Sequence, residues 1–180
     1  MFQRLGAVLR AAALLAVAGL AACATPAEPN AMIVGRDPAA RAFPAPFNDA
    51  ICVRTVTGGQ ETNPLLMSQV DDRAFRTAFE TSLRENGLYG FGGCSYQADA
   101  NLLSLQQPMF GLDLRVSALV NYRLEGAGGA LLLRETLGSA HTATFSDSPI
   151  AIVRLRLANE GAIRQSITDF FERLRELKPY

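Results

Sequence analysis

Leu112-Asp113-Leu114-Arg115-Val116-Ser117-Ala118-Leu119-Val120-Asn121-Tyr122-Arg123-Leu124-Glu125 is the most regular stretch of the chain. Leu112, Leu114, Val116, Ala118, Val120, Tyr122 and Leu124 alternate with residues that are polar apart from Leu119. Side chains of a strand point to opposite faces with a period of two, so this pattern predicts a long strand with one face on a core. A strand that is apolar on one face and polar on the other belongs in an antiparallel sheet with one wet side.

Downstream, Gly126-Ala127-Gly128-Gly129 turns the chain into a strand over 130–145, in which Gly138 reads as a bulge or twist point. Upstream, Pro108-Met109-Phe110-Gly111 is a turn preceded by a strand over 96–107. In that strand Tyr96, Ala98, Ala100 and Leu102 share one parity, but Leu103 and Leu105 fall on the other. Two readings follow. Leu103 and Leu105 join Leu119 as an exposed apolar face for a partner or a lipid, or a bulge returns them to the core.

Further upstream, Ile51-Cys52-Val53-Arg54-Thr55-Val56 is β-branched and bounded by Asp49 and Gly58-Gly59, and reads as a strand. Ser68 is the expected helix cap, with Asp71 and Asp72 in the first turn. The apolar face of that helix is Phe75, Ala78, Phe79, Ser82 and Leu83, and Asn86-Gly87 stops it. The glycines of 87–94 have neither phosphate-binding spacing and precede a strand, so they read as a connection. A final helix is expected over about 149–177, capped by Asp147 or Ser148, with Ile152, Leu155, Ile163, Ile167, Phe170, Leu174 and Leu177 as its stripe. Arg156, Glu160 and Arg164 lie a turn apart on its flank and should pair. Asn159, within the stripe, is read as a rim residue in preference to a buried hydrogen-bonding group.

The expected fold is α+β: one mixed, largely antiparallel four-stranded sheet with two helices on one face, in the order β-α-β-β-β-α. Residues 49–180 make a single domain on this reading.

The first 22 residues read as a targeting segment. Arg4 and Arg10 precede an apolar run from Ala11 to Gly19, which is too short to span a membrane of roughly 20 apolar residues. Leu20-Ala21-Ala22-Cys23 closely resembles the bacterial lipoprotein signal. The resemblance implies cleavage before Cys23 and acylation of its sulfur and amino group, and several acyl chains hold far more durably than one. Ala24 after the cysteine is similar to lipoproteins exported to the outer membrane; the periplasmic leaflet of the inner membrane is the alternative. Residues 23–48 carry Pro26, Pro29, Pro38, Pro44 and Pro46 and read as a tether.

With Cys23 acylated, Cys52 and Cys94 remain, in a compartment that permits disulfides. A bridge closing a loop of about 43 residues would contribute roughly 4 kcal/mol at most; two free thiols are the alternative.

The catalytic inventory is thin. His141 is the only histidine, no serine stands in a Gly-x-Ser-x-Gly elbow, and Asp71, Asp72 and Asp147 sit where capping explains them. A metal site of clustered histidines is excluded, no cofactor is expected, and 17 basic against 17 acidic residues speak against nucleic acid. Lipobox, element order from Ile51 to Leu177 and the Phe75-x-x-Ala78-Phe79-x-x-Ser82-Leu83 helix together resemble small α/β envelope lipoproteins. These include YajG-type lipoproteins, the lipopolysaccharide-assembly lipoprotein and auxiliary lipoproteins of lipid-transport systems. The resemblance implies a non-enzymatic accessory or scaffolding role facing the periplasm, with the membrane and an envelope protein as partners. The alternative is an envelope hydrolase or transferase with a site near His141.

Overall fold

The computed structural model describes residues 24–64 and 67–178. Its elements are α1 (Pro29–Met32), a 3-10 turn (Ala45–Phe47), β1 (Ile51–Thr57), α2 (Asp72–Glu85), β2 (Tyr96–Gln106), β3 (Leu114–Glu125), β4 (Leu131–Ala143) and α3 (Ala151–Glu176). The strands form one sheet in the order β1-β2-β3-β4. β1 runs parallel to β2, and both later pairings are antiparallel. The sheet is therefore mixed and largely antiparallel, as expected, and the long helices α2 and α3 cover its apolar face.

β3 alternates as its sequence demands. Leu114, Val116, Ala118, Val120, Tyr122 and Leu124 are buried, whereas Arg115 and Leu119 are exposed. Leu112 lies outside the strand, in the turn. The ambiguous strand β2 is resolved by a register shift between Leu102 and Ser104. The extra residue there is Leu103, which stays half exposed, and after it the parity inverts, so that Leu105 pairs with Ala118 and packs on the core. The expected face of Leu103, Leu105 and Leu119 thus loses Leu105. A bulge flips every side chain that follows it, and one extra residue is enough to do this. Gly138 pairs in regular register with Leu119, and the irregularity between β3 and β4 falls instead at Leu124/Glu125.

α2 buries Phe75, Ala78, Phe79, Ser82 and Leu83, the face expected of it. Its cap is Asp71, whose carboxylate accepts the Ala74 amide at 2.8 Å, and not Ser68. Ser68 is fully buried and donates its hydroxyl to the Thr25 carbonyl at 2.8 Å. Gly87, at φ +70°, turns the chain out of the helix. α3 starts two residues later than Pro149 and has no side-chain cap. Asp147 instead closes its own turn, accepting the Thr144 amide and hydroxyl at 2.6 and 2.9 Å.

Between the helices and the sheet lies an aromatic cluster. Phe79 meets Tyr122 and Phe170 edge-on at 5.8 and 5.3 Å, and Tyr122 stacks on Phe170 at 4.7 Å. The buried Tyr122 hydroxyl is 3.0 Å from Ser166 Oγ, so its polar end is satisfied.

Segment 24–48 is not a tether. It lies as a strap against both α2 and α3, which also meet each other directly through Phe79 and Phe170. Met32 and Phe47 are fully buried, and Ala24 and Ala27 nearly so. The Ala24 amide donates to Pro64 O at 2.8 Å and the Ala27 amide to Gln69 O at 3.2 Å. Farther along, the Val34 amide donates to Ser82 Oγ at 2.9 Å, and Arg175 Nε donates to Arg41 O at 2.8 Å. Proline denies this stretch a place in a helix or a central strand, but it does not prevent a side chain such as Met32 from filling a gap.

The expected charge row on α3 holds this strap. Arg156 pairs with Glu160 at 3.7 Å and also with Glu28, Glu160 is buried and accepts the Glu28 amide at 2.8 Å, and Arg164 donates to Ala31 O at 2.9 Å.

Candidate functional site at the loop end of the sheet

Strand directions bring four chain ends together. β1 and β2 run one way, β3 the other and β4 back again, so Thr57, Gln106, Leu114 and Ala143 share one end of the sheet. The segments 58–71, 107–113 and 144–150 and the start of α3 gather there. Among the described residues, bonds between these segments and one to the strap hold the end together. Ala24 is tied to Pro64, Gln107 Nε2 donates to Ser68 O at 2.9 Å, and the Phe145 amide donates to Asp113 Oδ1 at 3.0 Å.

At the centre of this end stands Asn159. It is fully buried, its Nδ2 donates to Ser68 O at 2.9 Å, and its Oδ1 accepts from Gln107 Nε2 at 2.8 Å. The rim reading of Asn159 is therefore corrected: the side chain fastens α3, the strap-bearing loop and the β2–β3 hairpin. A polar residue in an apolar stripe needs partners at both ends of its amide. Sequence spacing does not reveal that loops from 52 and 91 residues away supply them.

The loop end is also where apolar side chains remain in water. Met109, Phe110 and Leu112 are 84, 86 and 74% exposed, and Phe145, Ile150 and Met67 are 52, 44 and 38% exposed. Among the described residues these are six of the ten large exposed apolar side chains, so the distribution is uneven. Sequence reading treats Pro108–Gly111 as a turn only; the signal available was the run of three bulky apolar residues around Gly111.

The other candidate residues lie apart from this end. Cys23 falls outside the described residues; its neighbour Ala24 is buried and bonded to Pro64 O. Cys52 and Cys94 are joined as a disulfide, with Cα atoms 5.5 Å apart, at the opposite end where β1 and β2 begin. Leu103 and Leu119 are on the open side, and Leu119 borders a shallow depression with Ser104, Arg115, Ser117 and Gly138.

His141 pairs with Val116, so it points to the helix-covered face, half buried. Its ring packs against the α3 backbone at Gly161, where an added Cβ would come within 2.1 Å of the imidazole. Gly161 was missed in the sequence, although a glycine inside an amphipathic helix is itself a sign of close approach. Among the described residues no hydrogen bond joins His141 to a serine, threonine or cysteine, and no three His, Cys, Asp or Glu side chains converge as metal ligands. None of the helices there is long and apolar enough to cross a membrane.

The open face of the sheet carries a charged cluster. Arg54 pairs with Asp99 and with Glu125, the latter at 2.6 Å, and donates to Gln97 Oε1 at 3.1 Å. Partial burial pushes the Asp99 carboxyl up, but the Arg54 guanidinium and the Thr55 hydroxyl outweigh it and hold that carboxyl below its usual range. Under the strap the balance is opposite: burial pushes the Glu160 carboxyl up, against the Glu28 amide and Arg156.

No family model matches the chain, and no curated protein matches its sequence. Solved structures do share its fold. A protein from Caulobacter crescentus described as a putative lipoprotein is 13% identical, with a TM-score of 0.50 over 71% of this chain and 89% of that one. Protein XCC0632 of Xanthomonas campestris, of family DUF330, is 11% identical, with a TM-score of 0.60 over 85% of this chain and 95% of its own. The hypothetical protein CT253 of Chlamydia trachomatis is 10% identical, with a TM-score of 0.50 over 71 and 96%. At these identities the likeness is one of fold, and it spans nearly the whole of each of those chains.

Proposed function

We propose that the chain is an envelope lipoprotein, acylated at Cys23 and facing the periplasm, whose domain is a non-enzymatic binding or scaffolding module. The observation that carries this reading is the lipobox-like Leu20-Ala21-Ala22-Cys23 directly before Ala24, a buried residue of a domain whose fold is shared with a putative lipoprotein. The packing of His141 on Gly161, with no bonded nucleophile among the described residues, supports a binding role over hydrolysis or group transfer. The outer membrane is the proposed site, from Ala24, and service to envelope assembly or lipid transport is the proposed process.

Fractionation tests the anchor. Wild-type protein should sediment with outer-membrane vesicles and show an acylated N-terminal cysteine by mass spectrometry. Cys23→Ser should leave the membrane fraction or accumulate unprocessed. A soluble, unacylated wild-type protein would refute the reading. Crosslinking in native membranes that recovers one stoichiometric envelope protein would identify the partner.

A further inference from the structure

We infer that the loop end of the sheet is a membrane-docking surface: Met109, Phe110 and Leu112, with Phe145, Ile150 and Met67 beside them, enter the interfacial layer of the same bilayer that receives the acyl chains of Cys23. The inference rests on the proposed acylation and adds an orientation to it.

Two independent observations meet at this end. The first is the absence of slack. A residue of extended chain spans at most about 3.6 Å. Ala24 is almost fully buried and its amide is bonded to Pro64 O, so the acylated residue stands within one residue of the 58–71 loop. A free linker over 24–48 would let the domain tumble above the lipid, but this strap is bonded along its length and Met32 is buried beneath it. The bilayer surface therefore meets this end of the domain and no other.

The second observation is what this end presents. Three bulky apolar side chains at the β2–β3 hairpin are at least 74% exposed, and three more lie on the neighbouring loops. The opposite end, with the disulfide, offers Phe91 and Leu131.

The charges near the tips fit a neutral interface and not an anionic headgroup site. Asp113 accepts the Phe145 amide, Asp147 accepts the Thr144 amide, and Arg154 is buried, donating to Ser148 O at 2.6 Å with its guanidinium 5.3 Å from the Phe145 ring centre. Glu61 in the 58–71 loop and Asp71 and Asp72 after it stand with the exposed Arg73, and Arg115 lies apart on β3, so among the described residues the charges are mixed and no cationic cluster gathers here. Apolar and aromatic tips near an acyl anchor add to membrane residence by burying hydrocarbon at the headgroup boundary.

The chain contains no tryptophan, so single-tryptophan reporters are clean. Acylated full-length mature protein carrying Phe110→Trp or Phe91→Trp is reconstituted in phosphatidylcholine vesicles containing lipids spin-labelled near the headgroup. Both sites are exposed, so neither variant threatens the fold. The expected result is a blue-shifted, strongly quenched emission for Phe110→Trp and an unshifted, unquenched emission for Phe91→Trp. Equal responses at the two sites would overturn the orientation, and flotation of the protein with the vesicles would show that the anchor itself still holds. A blue shift of Phe110→Trp that grows with protein concentration without lipid would assign the surface to a second copy, again overturning it. Failure of acylated wild-type protein to float would refute the anchor and the orientation together.

Discussion

The two faces of this one sheet are built on different physics. On the covered face, β3 sends Val116, Val120, Tyr122 and Leu124 into a closed aromatic and aliphatic core beneath α2, α3 and the strap. On the open face the same strand shows Arg115, Leu119, Asn121 and Arg123, and ion pairs around Arg54 join β1, β2 and β3. The covered face is held by burial, which is large and insensitive to pH. The open face is held by charges in contact with water, which are small contributors and titrate. The difference teaches where variation is tolerable: the covered face sets stability, and the open face is free to change.

The strongest challenge to that contrast is to remove core side chains. Phe79→Ala should lower stability by about 3–5 kcal/mol and Met32→Ala by about 2–5 kcal/mol, read as a lower denaturant midpoint at unchanged slope. Met32 matters most, because a mere tether would give no change. Reducing the Cys52–Cys94 bridge should cost roughly 3–4 kcal/mol, although it lies at the edge of the sheet, and comparing melts with and without reductant measures it.

Asn159→Ala should cost about 1–3 kcal/mol, since it removes two buried hydrogen bonds and leaves only the Gln107 Nε2 bond to Ser68 O between the loop and the hairpin. Hydrogen exchange should then speed up in 58–71 and in the β2–β3 hairpin before it does in β3 itself. Leu119→Thr on the open face should stay within about 0.5 kcal/mol.

The smallest effects are those of pH, and their signs separate the contact between strap and α3 from the open face. The Glu160 carboxyl is raised in the fold, so its stabilising contribution is present at acid pH and is lost as the pH rises through its folded value. The Asp99 carboxyl is lowered, so its contribution is present at neutral pH and is lost as the pH falls below the ordinary carboxylate value. Glu160→Gln should therefore flatten the change in melting temperature between neutral pH and the ordinary carboxyl value, and Asp99→Asn should flatten the loss below it. A shared sign for the two variants would break the contrast.

Legibility in the sequence followed the range of the interaction. Alternation in β3 and the i, i+3, i+4 face of α2 are local periodicities, and they place sheet and helices correctly. The helix caps were misread by a few residues because Ser68, Asp71, Asp147 and Ser148 are all competent caps, and each was assigned by what else it touches. Leu105 was ambiguous because one bulge inverts parity, and nothing in Leu102-Leu103-Ser104 marks that bulge.

The sequence by itself determined the element order, the apolar face of each element and the lipobox-like stretch ending at Cys23, since these depend on residues near one another along the chain. Only the tertiary structure decided that residues 24–48 are a buried strap, that Asn159 is a buried tie and that six exposed apolar residues lie at the end of the sheet where Ala24 is bonded. The physical reason is that burial is a property of what packs against a side chain. For Met32, Asn159 and Ala24 those neighbours come from segments tens of residues away, which no local pattern encodes.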